Sequence, residues 1–136
     1  MTAQEQPSKA MNVSLWIAQI LIAALLVWGA SVKLLLPIEK MAAMFPWTGQ
    51  VPVFLVKFTG MIDVLGAIGL ILPSLLRIQP KLTPLSAIGF IILMICASVF
   101  HISRGEASAI GLNIVFIFIA AFVAWGRFKK APIAAK

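Results

Sequence analysis

The sequence contains few of the side chains from which enzymes build active sites. Its 136 residues include one cysteine, one histidine and four acidic residues. The single cysteine, Cys96, cannot form an intramolecular disulfide, which excludes the membrane enzymes that make or break disulfides through a cysteine pair. The scattered acids and the single histidine do not supply the clustered ligands of a metal site, and a haem would need a second axial ligand from another subunit. We therefore expect no metal centre.

The sequence also contains no phosphate-binding loop, dinucleotide fingerprint or serine-nucleophile motif. Its formal net charge is +7, but the basic residues form no stripe with interleaved aromatic residues, so we expect no nucleic-acid partner. These absences leave no candidate catalytic residue and favour a protein that is not a stand-alone enzyme.

Charged residues are scarce, and apolar residues are correspondingly abundant. Charged residues make up 11% of the chain and hydrophobic residues 62%, against about 25% and about 45–50% in soluble domains. The apolar residues form four runs, each near the roughly 20 residues that cross a bilayer as a helix. This pattern predicts an all-α integral membrane protein, an antiparallel four-helix bundle over residues 13–128. We expect spans at about 13–36, 54–76, 84–103 and 109–127, between tails at 1–12 and 129–136.

The segment between the first two runs differs in composition from both. It contains three prolines, Pro37, Pro46 and Pro52, which prevent a long helix. Its methionine, phenylalanine and tryptophan side chains suit the headgroup region of a membrane. We expect a short interfacial helix around Glu39–Phe45, at the outer end of the bundle.

The distribution of lysine and arginine predicts the orientation of the bundle. Four spans place both termini on one side of the membrane, and seven of the eleven Lys and Arg residues fall on that side. The positive-inside rule therefore predicts cytoplasmic N- and C-termini. The bilayer is the main expected partner, and the glycine-rich second run is compatible with a protein partner or a homo-oligomer.

Asp63 is the most informative single residue, because it lies two to three turns inside the second apolar run. A carboxylate at such a depth costs on the order of 2.5–3.5 kcal/mol and must face the bundle interior or a wet cavity. Antiparallel helices would bring polar residues from the ends of three other runs to the same outer level. We expect a ligand or proton pocket there, with these members: Asp63, His101 and Lys33, and secondarily Arg104 and Asn113. We expect no comparable polar residues in the inner half.

A structural interpretation of the same residues stays open. Asp63 would then only pair with Lys33 or Lys57 and hold the first two spans in register, while His101 would lie in the headgroup region and cap a helix end. Lys57 and Arg104 would extend toward the membrane surface, as long basic side chains near helix ends commonly do.

Several stretches together resemble the DoxX-like family of small four-span membrane proteins. They are WGASVKLL (28–35), PIEKMAAMFPW (37–47), VKFTGMIDVLGAIGLILPSLL (56–76) and LMICASVFHISRGE (93–106), followed by Asn113. The resemblance implies a four-helix bundle in the bacterial inner (plasma) membrane. The family takes its name from a subunit of a thiosulfate:quinone oxidoreductase, so it also implies a link to redox complexes and a quinone as a possible ligand. Asp63 stands where the family usually has glutamate.

Three functions are compatible with these observations. The first is an accessory or redox-associated subunit whose partner or quinone uses the outer polar pocket. The second is a small proton-coupled transporter, but the four-span multidrug transporters carry their carboxylate in the first helix, where this chain has Gln19 and Lys33 and no acid. The third is a membrane-protein assembly factor in which Asp63 serves packing alone.

Overall fold

The computed structural model describes residues 8–105 and 110–134, and every regular element in these residues is helical. Five α-helices follow one another along the chain, with a 3-10 turn after the second and a π-helical turn after the fifth. They are α1 (Lys9–Leu35), α2 (Ile38–Met44), the 3-10 turn (Pro46–Gly49), α3 (Val53–Leu76), α4 (Leu82–Ser103), α5 (Gly111–Trp125) and the π-helical turn (Gly126–Lys130). The predicted tail residues 1–7 and 135–136, and the predicted start of the last span at residue 109, lie outside the described residues.

Four of these helices are long and apolar enough to cross a membrane: α1, α3, α4, and α5 together with its π-helical turn. The predicted all-α four-helix bundle is confirmed. The short helix expected at Glu39–Phe45 is α2, which begins one residue earlier and ends one residue earlier. We call the end of the bundle that carries α2 the α2 end, and the opposite end, where α1 begins and α5 finishes, the terminal end.

Local sequence explains where α1 begins and ends. The Ser8 side chain accepts a hydrogen bond from the Met11 backbone N–H at 3.0 Å, so it caps the helix N-terminus. The helix therefore starts at Lys9, four residues before the first apolar run. It ends at Leu35, because Pro37 cannot continue the backbone hydrogen-bond ladder.

A proline inside α3 shapes the link to α4. Pro73 has no backbone N–H, so the Gly69 carbonyl lacks its usual helical donor. The Thr83 hydroxyl replaces that donor, with Oγ1 at 3.0 Å from the Gly69 oxygen, and it also lies 2.7 Å from the Ser74 hydroxyl. This buried hydroxyl pair ties the start of α4 to the end of α3, as polar side chains do between membrane helices.

The core is a seam of small and branched apolar side chains in the middle of the bundle. α1 packs against α3 and α5, and α4 packs against α3 and α5. The residues that fill the seam are Ala18, Ile22, Leu26, Ala67, Leu70, Ala87, Phe90, Ala120 and Val123. Many of the large apolar side chains are exposed instead, as they are in a protein whose solvent is lipid.

A second, smaller cluster seats α2 on the α2 end. Met41 is buried against Val32 of α1 and Val56 of α3. Aromatic contacts extend this cluster: Trp28 meets Phe45 edge-on, and Trp47 meets Phe100 of α4 edge-on, each with ring centroids 5.7 Å apart. The interhelical segment therefore connects α1, α3 and α4 at this end.

Candidate functional site

A buried ion pair joins α1 to α3 near the α2 end. The Lys33 ammonium Nζ lies 2.9 Å from Oδ2 of Asp63. Asp63 is only 3% exposed, whereas the Lys33 side chain, in the last turn of α1, retains 21% exposure. The carboxylate is thus enclosed by the bundle, while the lysine side chain remains partly exposed. Of the two partners that the sequence left open for Asp63, the structure selects Lys33.

Two glycines let the helices approach closely enough for this pair to form. A Cβ on Gly29 would lie 3.3 Å from Oδ2 of Asp63, and a Cβ on Gly60 would lie 3.1 Å from Cβ of Lys33. Contacts this short are tighter than most side chains tolerate. Close approach compensates for the short reach of an aspartate, because it brings the α3 backbone next to Lys33.

Lys57 binds a backbone carbonyl of α1 and not the Asp63 carboxylate. Its ammonium donates to the backbone carbonyl of Leu34 at 3.0 Å. That carbonyl belongs to the last turn of α1, where helix carbonyls lack backbone donors and the helix dipole favours a cation. Lys57 therefore supplies a hydrogen-bond donor and a positive charge to the C-terminal end of α1.

His101 and Arg104 lie at the end of α4, around an aromatic ring. The Arg104 guanidinium lies 5.4 Å from the centroid of the Phe100 ring, and the His101 ring meets the same ring edge-on at 5.7 Å. Since Phe100 contacts Trp47, both residues belong to the α2 end, as predicted from antiparallel packing.

Asn113 belongs to α5 and contacts α4. Its side-chain nitrogen donates to the Ser98 hydroxyl at 3.3 Å, and that hydroxyl in turn donates to the Met94 carbonyl at 2.8 Å. The five predicted site residues thus have three sets of neighbours. Lys33 and Asp63 bind each other, His101 and Arg104 pack on Phe100, and Asn113 bonds to Ser98. The described hydrogen bond to the Asp63 carboxylate comes from Lys33.

The expectation that the inner half holds no comparable polar residues is wrong. At the terminal end, Arg127 is 4% exposed, and its Nε donates to Oε1 of Gln19 at 2.6 Å. Its Nη1 donates to Oδ1 of Asn12 and to the Ala131 carbonyl, both at 2.9 Å. Gln19 is itself fully buried and donates to the Leu70 carbonyl at 2.7 Å.

The physical reason for this error is the π-helical turn. Arg127 lies at the end of the last apolar run, where an arginine normally extends into the headgroup region. The turn Gly126–Lys130 instead directs it back toward α1, where its guanidinium also lies 5.7 Å from the Trp16 ring centroid. The available signal was Gln19, a polar residue in the middle of an apolar run that needed an interior partner.

Two cavities lie away from the five predicted residues. One, of about 410 Å³, lies at the terminal end and is lined by residues of the α3–α4 link and by Arg127 and the residues that follow it. The other, of about 370 Å³, is an apolar groove between α1 and α5. Among residues 8–105 and 110–134, no three His, Cys, Asp or Glu side chains come together as a metal site.

The fold and these contacts define a small four-span membrane protein with an ion pair inside its helices. The model of the DoxX-like family matches residues 17–123, most of the chain, and the protein belongs to that family. The matched region includes Lys33, Asp63 and the remaining predicted site residues. Comparison with the curated proteins and with the solved structures found no match.

Proposed function

We propose that this protein is an accessory, redox-associated subunit of a membrane complex, and that the Lys33–Asp63 pair is the centre of its ligand or proton site. The observation that carries the proposal is the pair itself, a carboxylate enclosed at 3% exposure beside one amine at 2.9 Å. Buried ion pairs contribute little net stability relative to apolar residues of the same volume. Stability alone therefore gives a weak reason for the pair.

The unequal exposure of the two partners supports a site that opens toward the α2 end. The Lys33 amine is the accessible member, so an incoming group would first meet a hydrogen-bond donor of positive charge. A quinone carbonyl is an acceptor of suitable chemistry, and a bound quinone would supply electron transfer with a partner subunit. His101, Arg104 and Asn113 are the secondary polar residues of this end.

The orientation and location of the chain are part of the same proposal. We infer a multi-pass protein of the bacterial inner membrane with both termini in the cytoplasm, supported by the family and by the excess of basic residues on the terminal side. Reporter fusions to the C-terminus and to the α2 segment test this. Cytoplasmic signal from the α2 fusion would contradict it.

Quinone binding tests the site directly. Titration of the purified protein in mild detergent with a short-chain quinone should quench tryptophan fluorescence to saturation, since Trp28 and Trp47 lie at the α2 end. We expect Asp63→Asn and Lys33→Met to abolish the saturable component while circular dichroism remains unchanged. The matched control is Glu39→Gln, which neutralises an exposed acid of α2.

Three outcomes would decide against the proposal. Saturable quenching that is equal in the wild type and both variants would place the quinone elsewhere. Proton-coupled uptake of a cation by proteoliposomes, lost in Asp63→Asn, would favour the transporter. If the tagged protein retained no partner after mild extraction and bound no quinone, the assembly factor would be the better hypothesis.

A further inference from the structure

Arg127 has an unused donor in a buried position. Two of its three guanidinium nitrogens are bonded, Nε to Gln19 and Nη1 to Asn12 and the Ala131 carbonyl. The third, Nη2, is shielded from solvent and has no hydrogen-bond partner among the described residues. A buried charged donor without a partner is costly, so it calls for a partner that these residues do not supply, such as a bound ion or a water.

Arg127 is one of the residues that line the cavity of about 410 Å³ at the terminal end. Lys81 and Gln79, from the tight link between α3 and α4, line the same cavity and add an ammonium group and an amide. The residues after the π-helical turn form the facing wall. This wall is anchored by Arg77, whose Nε donates to the Ala134 carbonyl at 2.9 Å.

The electrostatic surroundings of the cavity are positive. Arg77, Lys129 and Lys130 are within two residues of lining residues in the sequence but do not line the cavity themselves. The two acidic residues that the structure describes, Glu39 and Asp63, belong to the opposite end of the bundle. A cavity with cationic donors and no described acid nearby attracts an anion.

We propose that this cavity binds a phosphate group, carried by an anionic phospholipid or present as free phosphate. The two N–H groups of Nη2 are the guanidinium donors left for a phosphate oxygen, and a lysine adds a point charge beside it. The position also suits a lipid, because basic pockets at the ends of membrane helices bind phospholipid headgroups. Ile78 and Leu82, both about half exposed, flank Gln79 and Lys81 and offer contact to acyl chains.

Lys81→Gln is the variant of choice, because Lys81 is exposed and is not part of the buried Arg127 network. The purified full chain in neutral detergent is titrated calorimetrically with a short-chain phosphatidylglycerol. We expect saturable binding that Lys81→Gln weakens about fivefold, the effect of one basic residue near a headgroup. The matched control, Lys130→Gln, removes a lysine at the same end that does not line the cavity, and should change the affinity less than twofold.

Two further titrations complete the test. Diacylglycerol with the same chains, which lacks the phosphate, should not bind saturably. Inorganic phosphate that binds alone and competes with the lipid identifies free phosphate as a sufficient ligand, and phosphate that does neither identifies the headgroup as the source. Equal weakening by Lys81→Gln and Lys130→Gln, or equal binding of diacylglycerol and phosphatidylglycerol, would overturn the proposal.

Discussion

Replacing Lys33 with methionine removes the amine of the buried ion pair and leaves the Asp63 carboxylate enclosed without its partner. At the observed distance of 2.9 Å, Coulomb's law with an effective dielectric constant of about 20 gives an attraction of roughly 6 kcal/mol. Desolvation of the two charges offsets part of this, and removal of one partner from a buried pair costs about 3–5 kcal/mol. Because the Lys33 side chain is one-fifth exposed, we expect the lower end, about 3 kcal/mol.

Asp63→Asn should destabilise the protein less than Lys33→Met does. The asparagine keeps an oxygen for the Lys33 amine, and the long lysine can extend to water, whereas a carboxylate at 3% exposure cannot. We expect a loss of about 1–2 kcal/mol. The double variant contains no unpaired charge, so its loss should fall short of the sum of the single losses by about 2 kcal/mol.

Reversible unfolding in mixed micelles of dodecyl sulfate and a neutral detergent, followed by circular dichroism, measures these free energies. Glu39→Gln serves as the control, since it neutralises an exposed acid and should change stability by less than about 0.5 kcal/mol. Single losses that add within about 0.5 kcal/mol would refute the pairing. A larger loss for Asp63→Asn than for Lys33→Met would refute the explanation from unequal exposure.

Three further predictions concern packing and hydrogen bonds, and the same unfolding assay measures them. Gly60→Ala should cost about 1 kcal/mol because its Cβ meets the opposing helix at 3.1 Å, whereas Gly89→Ala, with nothing within 4 Å, should gain up to about 0.5 kcal/mol from helix propensity. The opposite order would contradict the close approach. Gln19→Leu should cost about 2–3 kcal/mol because it leaves Nε of Arg127 buried and unpaired. A neutral effect would show that water replaces the amide oxygen as the acceptor for Nε. Thr83→Val should cost about 1–2 kcal/mol, because the Gly69 carbonyl, which the α3 proline leaves without a backbone donor, then also loses the hydroxyl. No loss of stability would mean that this carbonyl needs no donor.

The four spans were predictable because they follow from a requirement that acts on whole segments. Backbone amides in hydrocarbon must bond within their own helix, so a run of about 20 apolar residues determines a span whatever its neighbours are. The need of Asp63 for an interior partner follows equally from the cost of a carboxylate in lipid. Both predictions depend on composition and depth, which the sequence contains directly.

The partner of Asp63 depended on helix rotation and distance, which periodicity does not determine. Lys33 and Lys57 were equally plausible from their depth. The choice rests on Gly29 and Gly60, which allow α1 and α3 to approach until Lys33 reaches the carboxylate. Lys57 then lies beside the end of α1 and bonds to a carbonyl instead. The polar contacts of the inner half were missed for a related reason, because Arg127 lies in a π-helical turn and is buried there.

The polar contacts also explain how α1 is held to both of its neighbouring helices. Apolar side chains gain little by leaving lipid for one another, so directional bonds and close packing must hold membrane helices together. Lys33 bonds α1 to α3 near the α2 end, and Gln19, in the first half of α1, bonds it to α3 and to Arg127 of the π-helical turn after α5. Each half of α1 thus bonds to at least one charged side chain of a neighbouring element. Substitutions of Gln19 and Lys33 lie far apart along α1, so their effects on stability should add, unlike those within the Lys33–Asp63 pair.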